Sequence, residues 1–412
     1  MQNEGCLLKI FIARGENLCA SQIDGVEIEP KAVSGVLIFD DHGKVVRYPS
    51  QWLSTLTDLQ DLAYTSAETY ARNIQYFIEF IATRPGNAGL TADEMLLNVN
   101  RSTLEDWVIQ EQETFGRERQ TIRNREVCLR SFYDFYSKNE HTDAIIEETP
   151  FPSTFISAKP HKKQVTSASL SDLVALMNES PYERERLLLQ FMYDSGVRIS
   201  EISRITYGDI HDAIRFTNSE FISPKKVDAP VFPGYAPILI RGSKGRGNSI
   251  KERYSVITTP TLKRIAAYHS APLYKRHQAK YHNQNQCPAF LNSEGSAYNK
   301  DSLGKMIERR SDSALKKGSI SRKVHAHLFR HGSAYLTLQD PNLGEDYLER
   351  LVNVQKTLGH TFISTTERYT NIPMDIYNAI ADSSVGGLRS KIEKLEDVVE
   401  QTKLKIKLGD KK

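Results

Sequence analysis

Apolar positions change their period along the chain. Through the first 55 residues they fall in short runs, Leu7 to Ala13 and Val33 to Phe39, the second closed by an Asp40-Asp41-His42-Gly43 turn before Val45 and Val46. Runs of this length bounded by turn residues predict strands, so residues 1–55 are expected to form a small β-rich appendage. From Thr65 the spacing becomes helical. Tyr70, Ile74, Phe77, Ile78 and Ile81 share one face of a helix that should stop at Arg84-Pro85-Gly86. Leu104, Trp107 and Val108 mark another helix, and Val127, Leu129, Phe132, Tyr133 and Tyr136 the longest. Together they predict a helical domain over 56–148, a bundle of about four helices ending near Lys138.

Pro150, Pro152 and Pro160 punctuate a polar stretch made basic by Lys159, Lys162 and Lys163, which reads as an extended linker over 149–166. A second domain is expected over 167–385. Ser169 or Ser171 caps its first helix ahead of Leu173, Val174 and Leu176, and a helix from Arg184 to Asp194 breaks at Ser195-Gly196. Ile238–Arg241 and Tyr254–Ile257 flank the basic, glycine-rich turn 242–247 and predict a hairpin. The pattern from Asp301 to Tyr377 is again mostly helical. Residues 212–237, 269–286 and 339–352 have the composition of loops. Leu388, Ile392, Leu395, Val399, Thr402 and Ile406 form a short heptad seam in 386–412, readable as a helix docked on a neighbouring subunit, a short coiled coil, or a helix folded back on its own domain. The class expected is mainly α with a small antiparallel sheet.

Charge alters this picture more than composition does. The whole chain carries a formal +3, but residues 1–150 hold 14 basic and 24 acidic side chains, and Arg241 to Arg330 hold 19 and 5. A block that cationic favours a polyanionic partner, because Lys and Arg set against phosphates release condensed counterions; a solvated basic surface is the plainer alternative. Arg117, Arg119, Arg123, Arg125 and Arg130, at the start of the longest bundle helix, offer the same two readings. No apolar run reaches the roughly 20 residues of a membrane span, and Met1 to Ala20 has no secretory h-region. Cys6, Cys19, Cys128 and Cys287 include no Cys-x-x-Cys pair, so neither a disulfide framework nor a zinc site is expected. A cytoplasmic protein follows.

The second domain also holds an ordered set of reactive side chains: Arg198, Lys244, His327, Arg330, His360 and Tyr369. Two guanidiniums can clamp the non-bridging oxygens of a phosphodiester and stabilise charge growing in a pentacoordinate transition state. A phenol can supply the nucleophile. Imidazoles can move protons near neutral pH, and an ammonium can protonate a departing alkoxide. His327 and Arg330 are three residues apart, on one face if the segment is helical. Glu201, three residues after Arg198, can hold its guanidinium in place.

In local context these residues resemble the conserved boxes of the tyrosine recombinases, or phage integrases. The matching segments are Ser195-Gly-Val-Arg198-Ile-Ser-Glu-Ile, Gly242 to Arg253 around Lys244, His327-Leu-Phe-Arg330-His331, and Leu358-Gly-His360-Thr-Phe-Ile-Ser-Thr-Thr-Glu-Arg-Tyr369. The resemblance covers 167 to about 380 well, and extends less specifically to a core-binding domain over the bundle. It implies a two-domain, C-shaped clamp on double-stranded DNA carrying specific sites, and a site-specific recombinase. Tyr369 would form a 3′-phosphotyrosyl link, Arg198 and Arg330 would bind the scissile phosphate, and His327 and His360 would assist proton transfer. Lys244 would act as general acid, with Arg246 and Lys251 competing for that place or for DNA, and His331 would support the clamp. No cofactor or metal is implied. The expected assembly is a dimer on each site and a homo-tetramer at synapsis, with room for an accessory directionality factor, acting at the nucleoid in integration or excision of a mobile element. Two alternatives are a silent DNA-binding protein of the same fold, and a histidine phosphatase suggested by Arg330-His331-Gly332 although the rest of that motif is missing.

Overall fold

A computed structural model describes residues 8–17, 22–23, 26–27, 32–59, 62–138, 145–161, 166–218, 234–244, 250–359 and 389–404. Two compact units divide between Lys162 and Lys163.

In the first unit, β1 (Lys9–Asn17) pairs antiparallel with β4 (Ala32–Phe39), in register from Lys9 opposite Phe39 to Asn17 opposite Ala32, and β2 (Gln22–Ile23) pairs with β3 (Val26–Glu27). Five helices follow: α1 (Arg47–Asp58), α2 (Tyr64–Ala82), α3 (Ala92–Leu97), α4 (Arg101–Ile109) and α5 (Arg119–Lys138). The β-rich segment is not a separate appendage. Val36 and Ile38 share one core with Trp52, Phe77, Trp107 and Phe132, and residues 47–55, read from sequence with the strands, begin α1. Pro49 sits in the first turn, where a backbone N–H has no helical partner to lose. Asp93 on α3 completes that terminus by accepting from Arg47 N at 2.8 Å and Tyr48 N at 2.9 Å.

Half of the expected linker also belongs to this unit. The fully buried Glu126 carboxylate on α5 accepts from Ile156 N at 2.7 Å, Ser157 N at 2.9 Å and Ser157 Oγ at 2.5 Å. Arg130 donates to the carbonyls of Pro152 and Thr154, and its guanidinium lies over the rings of Phe151 and Phe155. Residues 151–157 are therefore pinned along α5.

The second unit comprises α6 (Leu170–Asn178), α7 (Glu183–Ser195), α8 (Tyr207–Asn218), the hairpin β5 (Tyr235–Lys244) and β6 (Ile250–Thr258), α9 (Thr259–Ser270), α10 (Pro272–Gln278), α11 (Lys300–Lys316), α12 (Ala326–Leu338), α13 (Tyr347–Leu358) and α14 (Lys391–Gln401). Ser169 caps α6 in a reciprocal capping box with Asp172. α7 is buried from Glu185 to Ser195 and packs against α6, α9, α12 and β6, so the unit is built around it. The 269–286 segment is not an open loop: α10 folds there, and Tyr274 stacks on His269 with ring centroids 4.4 Å apart. Burial holds the His269 imidazole down at about 4. α14 lies back on its own unit, against α9 and α6. Its buried positions are Lys391, Leu395, Val398 and, at the C-cap, Thr402. Leu395 and Thr402 belong to the heptad seam, whose Ile392 packs against Tyr235, Val256 and Leu343, while Leu388 and Ile406 lie outside the described residues.

Among the described residues the architecture is mainly helical with three two-stranded antiparallel sheets, and no helix is long and apolar enough to cross a membrane.

Candidate active site

The site is organised around the C-terminal end of α7. Gly196 ends that helix in the left-handed region at φ 62°. A side chain there would meet Leu358 Cδ2 at 2.8 Å and Ser333 Oγ at 3.0 Å, so glycine answers both the backbone conformation and the crowding. Arg330, buried on α12, donates through one terminal nitrogen to Gly196 O at 2.6 Å and through the other to Leu358 O at 2.5 Å. Both acceptors are neutral helix-end carbonyls, which orient a guanidinium without cancelling its charge.

Arg198 opens the short 3₁₀ turn Ile199–Arg204. The Glu201 carboxylate accepts from Arg198 N at 2.8 Å and from its guanidinium at 3.0 Å, as the spacing suggested. The same carboxylate accepts from Arg253 on β6 at 2.8 Å. Glu201 is fully buried, whereas the Arg198 side chain is 33% exposed, so a buried carboxylate anchors Arg198 at a partly exposed position. Burial draws the Arg253 guanidinium below its ordinary pKa; Glu201 opposes that shift and Arg198 adds to it.

His327 is exposed in the first turn of α12. Its ring meets that of His331 edge to face, with centroids 4.3 Å apart. Lys244 closes β5 with its backbone opposite Ile250, and Lys251 is exposed on β6 opposite Ser243. Arg246, His360 and Tyr369 lie outside the described residues. The structure thus gathers Arg198, Glu201 and Arg330 at the end of α7. Arg253 joins them through Glu201, a residue that sequence reasoning used only to bound the hairpin box. The available signal was a charged side chain at a core-facing strand position, across the ladder from the buried Ile240.

The bundle arginines have diverse fates. Arg125 departs from the phosphate-gripping expectation: it is buried, gives Glu111 two contacts at 2.8 Å and lies over the Tyr76 ring. Glu111 reaches it from a local π-helical turn, Gln110–Thr114. Arg123 lies over Phe155, with 3.9 Å from its central carbon to the ring centroid. Arg117 is exposed, 3.7 Å from Glu111. Arg119, also exposed, bonds the His161 ring at 2.9 Å.

Residues 163–375 match the phage integrase family. The chain belongs to that family. Among curated relatives, the tyrosine recombinase XerC of Listeria welshimeri is 28% identical over 274 residues, covering 63% of this chain and 73% of the relative. The tyrosine recombinase XerD of Halalkalibacterium halodurans is 22% identical over 317 residues, covering 76% and 88%. The structure is similar to a XerH site-specific recombinase in a post-cleavage complex with palindromic difH substrate, at TM-score 0.53 and 21% identity over 77% of this chain and 79% of that one. It is also similar to the Tn1549 transposon integrase with transposon right-end DNA, at TM-score 0.53 and 14% identity over 82% and 99%. The chain is a tyrosine-type site-specific recombinase.

Proposed function

We propose that this recombinase cuts and rejoins DNA through a 3′-phosphotyrosyl intermediate, with Tyr369 as nucleophile and Arg198 and Arg330 as the phosphate clamp. The Tyr369 oxygen attacks phosphorus, a tyrosyl–phosphorus bond forms, and the bond to the 5′ oxygen breaks. Lys244 gives that oxygen its proton, while His327 and His360 orient the phosphate and relay protons. The freed 5′-hydroxyl of one duplex then attacks the phosphotyrosine of its partner. One phosphoester replaces another at each step, so the energy of the broken bond is kept for religation.

The observation carrying this reading is the seating of Arg330. A buried guanidinium held by two helix-end carbonyls, beside Arg198 anchored through Glu201, is a preorganised receptor for a phosphate's non-bridging oxygens. Glu201 steadies Arg198 and Arg253, and His331 braces His327. Arg117 and Arg119 contact the DNA backbone from the bundle, with Arg246 and Lys251 doing so from the hairpin. The biological setting we assign is integration and excision of a mobile element at the nucleoid, in the cytoplasm, by a dimer on each site that becomes a tetramer at synapsis and responds to a directionality factor.

The decisive test uses a nicked suicide duplex carrying the native site. Wild-type protein should accumulate covalent adduct, whereas Tyr369→Phe should bind with unchanged affinity and form none. Adduct surviving in Tyr369→Phe would exclude this nucleophile.

A further inference from the structure

Lys391, the first residue of the tail helix α14, is 1% exposed, an unusual situation for a lysine. Its ammonium donates to Asp194 O at 2.6 Å and stands 3.0 Å from Asp194 Oδ1 as an ion pair. Its own backbone N–H is held by the buried Asp340 carboxylate at 3.0 Å. Asp194 is itself fixed, since its Oδ2 accepts from Thr258 N at 3.0 Å and Thr258 Oγ1 at 2.6 Å.

Asp194 lies two residues before Gly196, whose carbonyl holds Arg330. The carbonyls between them are all occupied from other elements. Ser333 Oγ of α12 reaches Asp194 O at 3.1 Å, and Ser255 Oγ of β6 reaches Ser195 O at 2.6 Å. A helix C-terminus carries orphan carbonyls and partial negative charge, and a cation placed there satisfies both. At the end of α7 the tail supplies that cation, in a buried setting where removing one partner of an ion pair strands the other charge.

We propose that Lys391 is a positioning residue for the phosphate clamp: seating of the tail helix in its own catalytic unit fixes the end of α7 and, through the Gly196 carbonyl, aims the Arg330 guanidinium. This rests on the reading of Arg330 as a phosphate ligand.

The test measures single-turnover cleavage of the suicide duplex at saturating full-length protein, together with DNA affinity and thermal stability. Each variant is assayed on a normal scissile phosphate and on a methylphosphonate, which lacks the charged oxygen that the arginines neutralise. Lys391→Met should cleave the phosphate roughly ten- to a hundredfold more slowly, as expected for a misaimed group, with affinity within about twofold of wild type; the defect should largely vanish on the methylphosphonate. In case Lys391→Met fails to fold, Asp194→Asn/Lys391→Met removes the stranded charge and should show the same substrate dependence. Wild-type cleavage by a folded variant, or a defect equal on both substrates, overturns the proposal. Arg330→Ala is run in parallel. If it responds to the methylphosphonate and the Lys391 variants do not, only the tail link fails; if Arg330→Ala is itself insensitive, the phosphate-clamp reading fails and this inference with it.

Discussion

Arg125 in the first unit and Arg330 in the second are both buried arginines on long helices, held in opposite ways. Arg125 faces a carboxylate, Glu111, which returns a full negative charge and makes the pair a piece of packing. Arg330 is oriented by the carbonyls of Gly196 and Leu358, which fix the plane of the guanidinium and supply only dipoles. Arg198 is held like Arg125, by a buried carboxylate that a second arginine also approaches, but its own side chain is partly exposed where that of Arg125 is buried. Burial is common to Arg125 and Arg330; in the proposed clamp it is the pair of neutral carbonyls orienting Arg330, not burial, that sets it apart from Arg125.

Exchanging roles is the sharpest way to break this contrast. Arg330→Ala should lower single-turnover cleavage by roughly 10²- to 10³-fold, the range for losing a preorganised donor to a developing charge, with a much smaller effect on duplex binding. Arg125→Ala should do the reverse. Stranding the Glu111 charge should cost the first unit about 3–5 kcal/mol in a denaturant melt, while cleavage per folded molecule at saturating DNA stays near wild type. A cleavage defect in folded Arg125→Ala would erase the distinction.

Acid should also separate the units. His269 in the second unit titrates at about 4 when folded and near 6.5 when unfolded, because burial disfavours its cation. Below pH 6.5 the unfolded chain takes up a proton that the folded chain refuses. The contribution is thus complete above that pH and fades as pH falls toward 4, by about 3 kcal/mol in all. Melts across this range should show the second unit losing stability, and His269→Gln should flatten the slope.

The smallest effect concerns the exposed bundle arginines. Arg119→Ala should leave cleavage at saturating DNA unchanged and reduce the slope of log affinity against log salt by about 1 if the side chain meets one phosphate. An unchanged slope would assign Arg119 to His161 alone.

Legibility in the sequence followed the range of the interactions. The helix around Phe77, the Ser169 cap, the break at Gly196 and the hairpin are local features, and each lies where periodicity or turn chemistry places it. The Arg198–Glu201 contact was legible for the same reason, being three residues long. Glu126 holding residues 156–157, Glu111 turning Arg125 inward and Lys391 reaching Asp194 join positions 14 to 197 residues apart. Such contacts leave no period in the chain, so the linker, the arginine cluster and the tail helix were the parts misjudged or left open. α1 was missed because nine residues of mixed polarity around Pro49 carry too little pattern to outweigh the strands before them.

The carbonyl seat of Arg330 also bears on how this enzyme tolerates mutation. A salt bridge can be lost by changing either of two codons, and regained by a swap at the other. No substitution at position 196 or 358 deletes a main-chain oxygen, so the receptor itself is genetically silent and can be damaged only by rerouting the backbone. Inactivating changes around Arg330 should accordingly concentrate at Arg330 itself and at residues such as Gly196 that fix the path of the chain, while the side chains that merely line the route drift with little consequence.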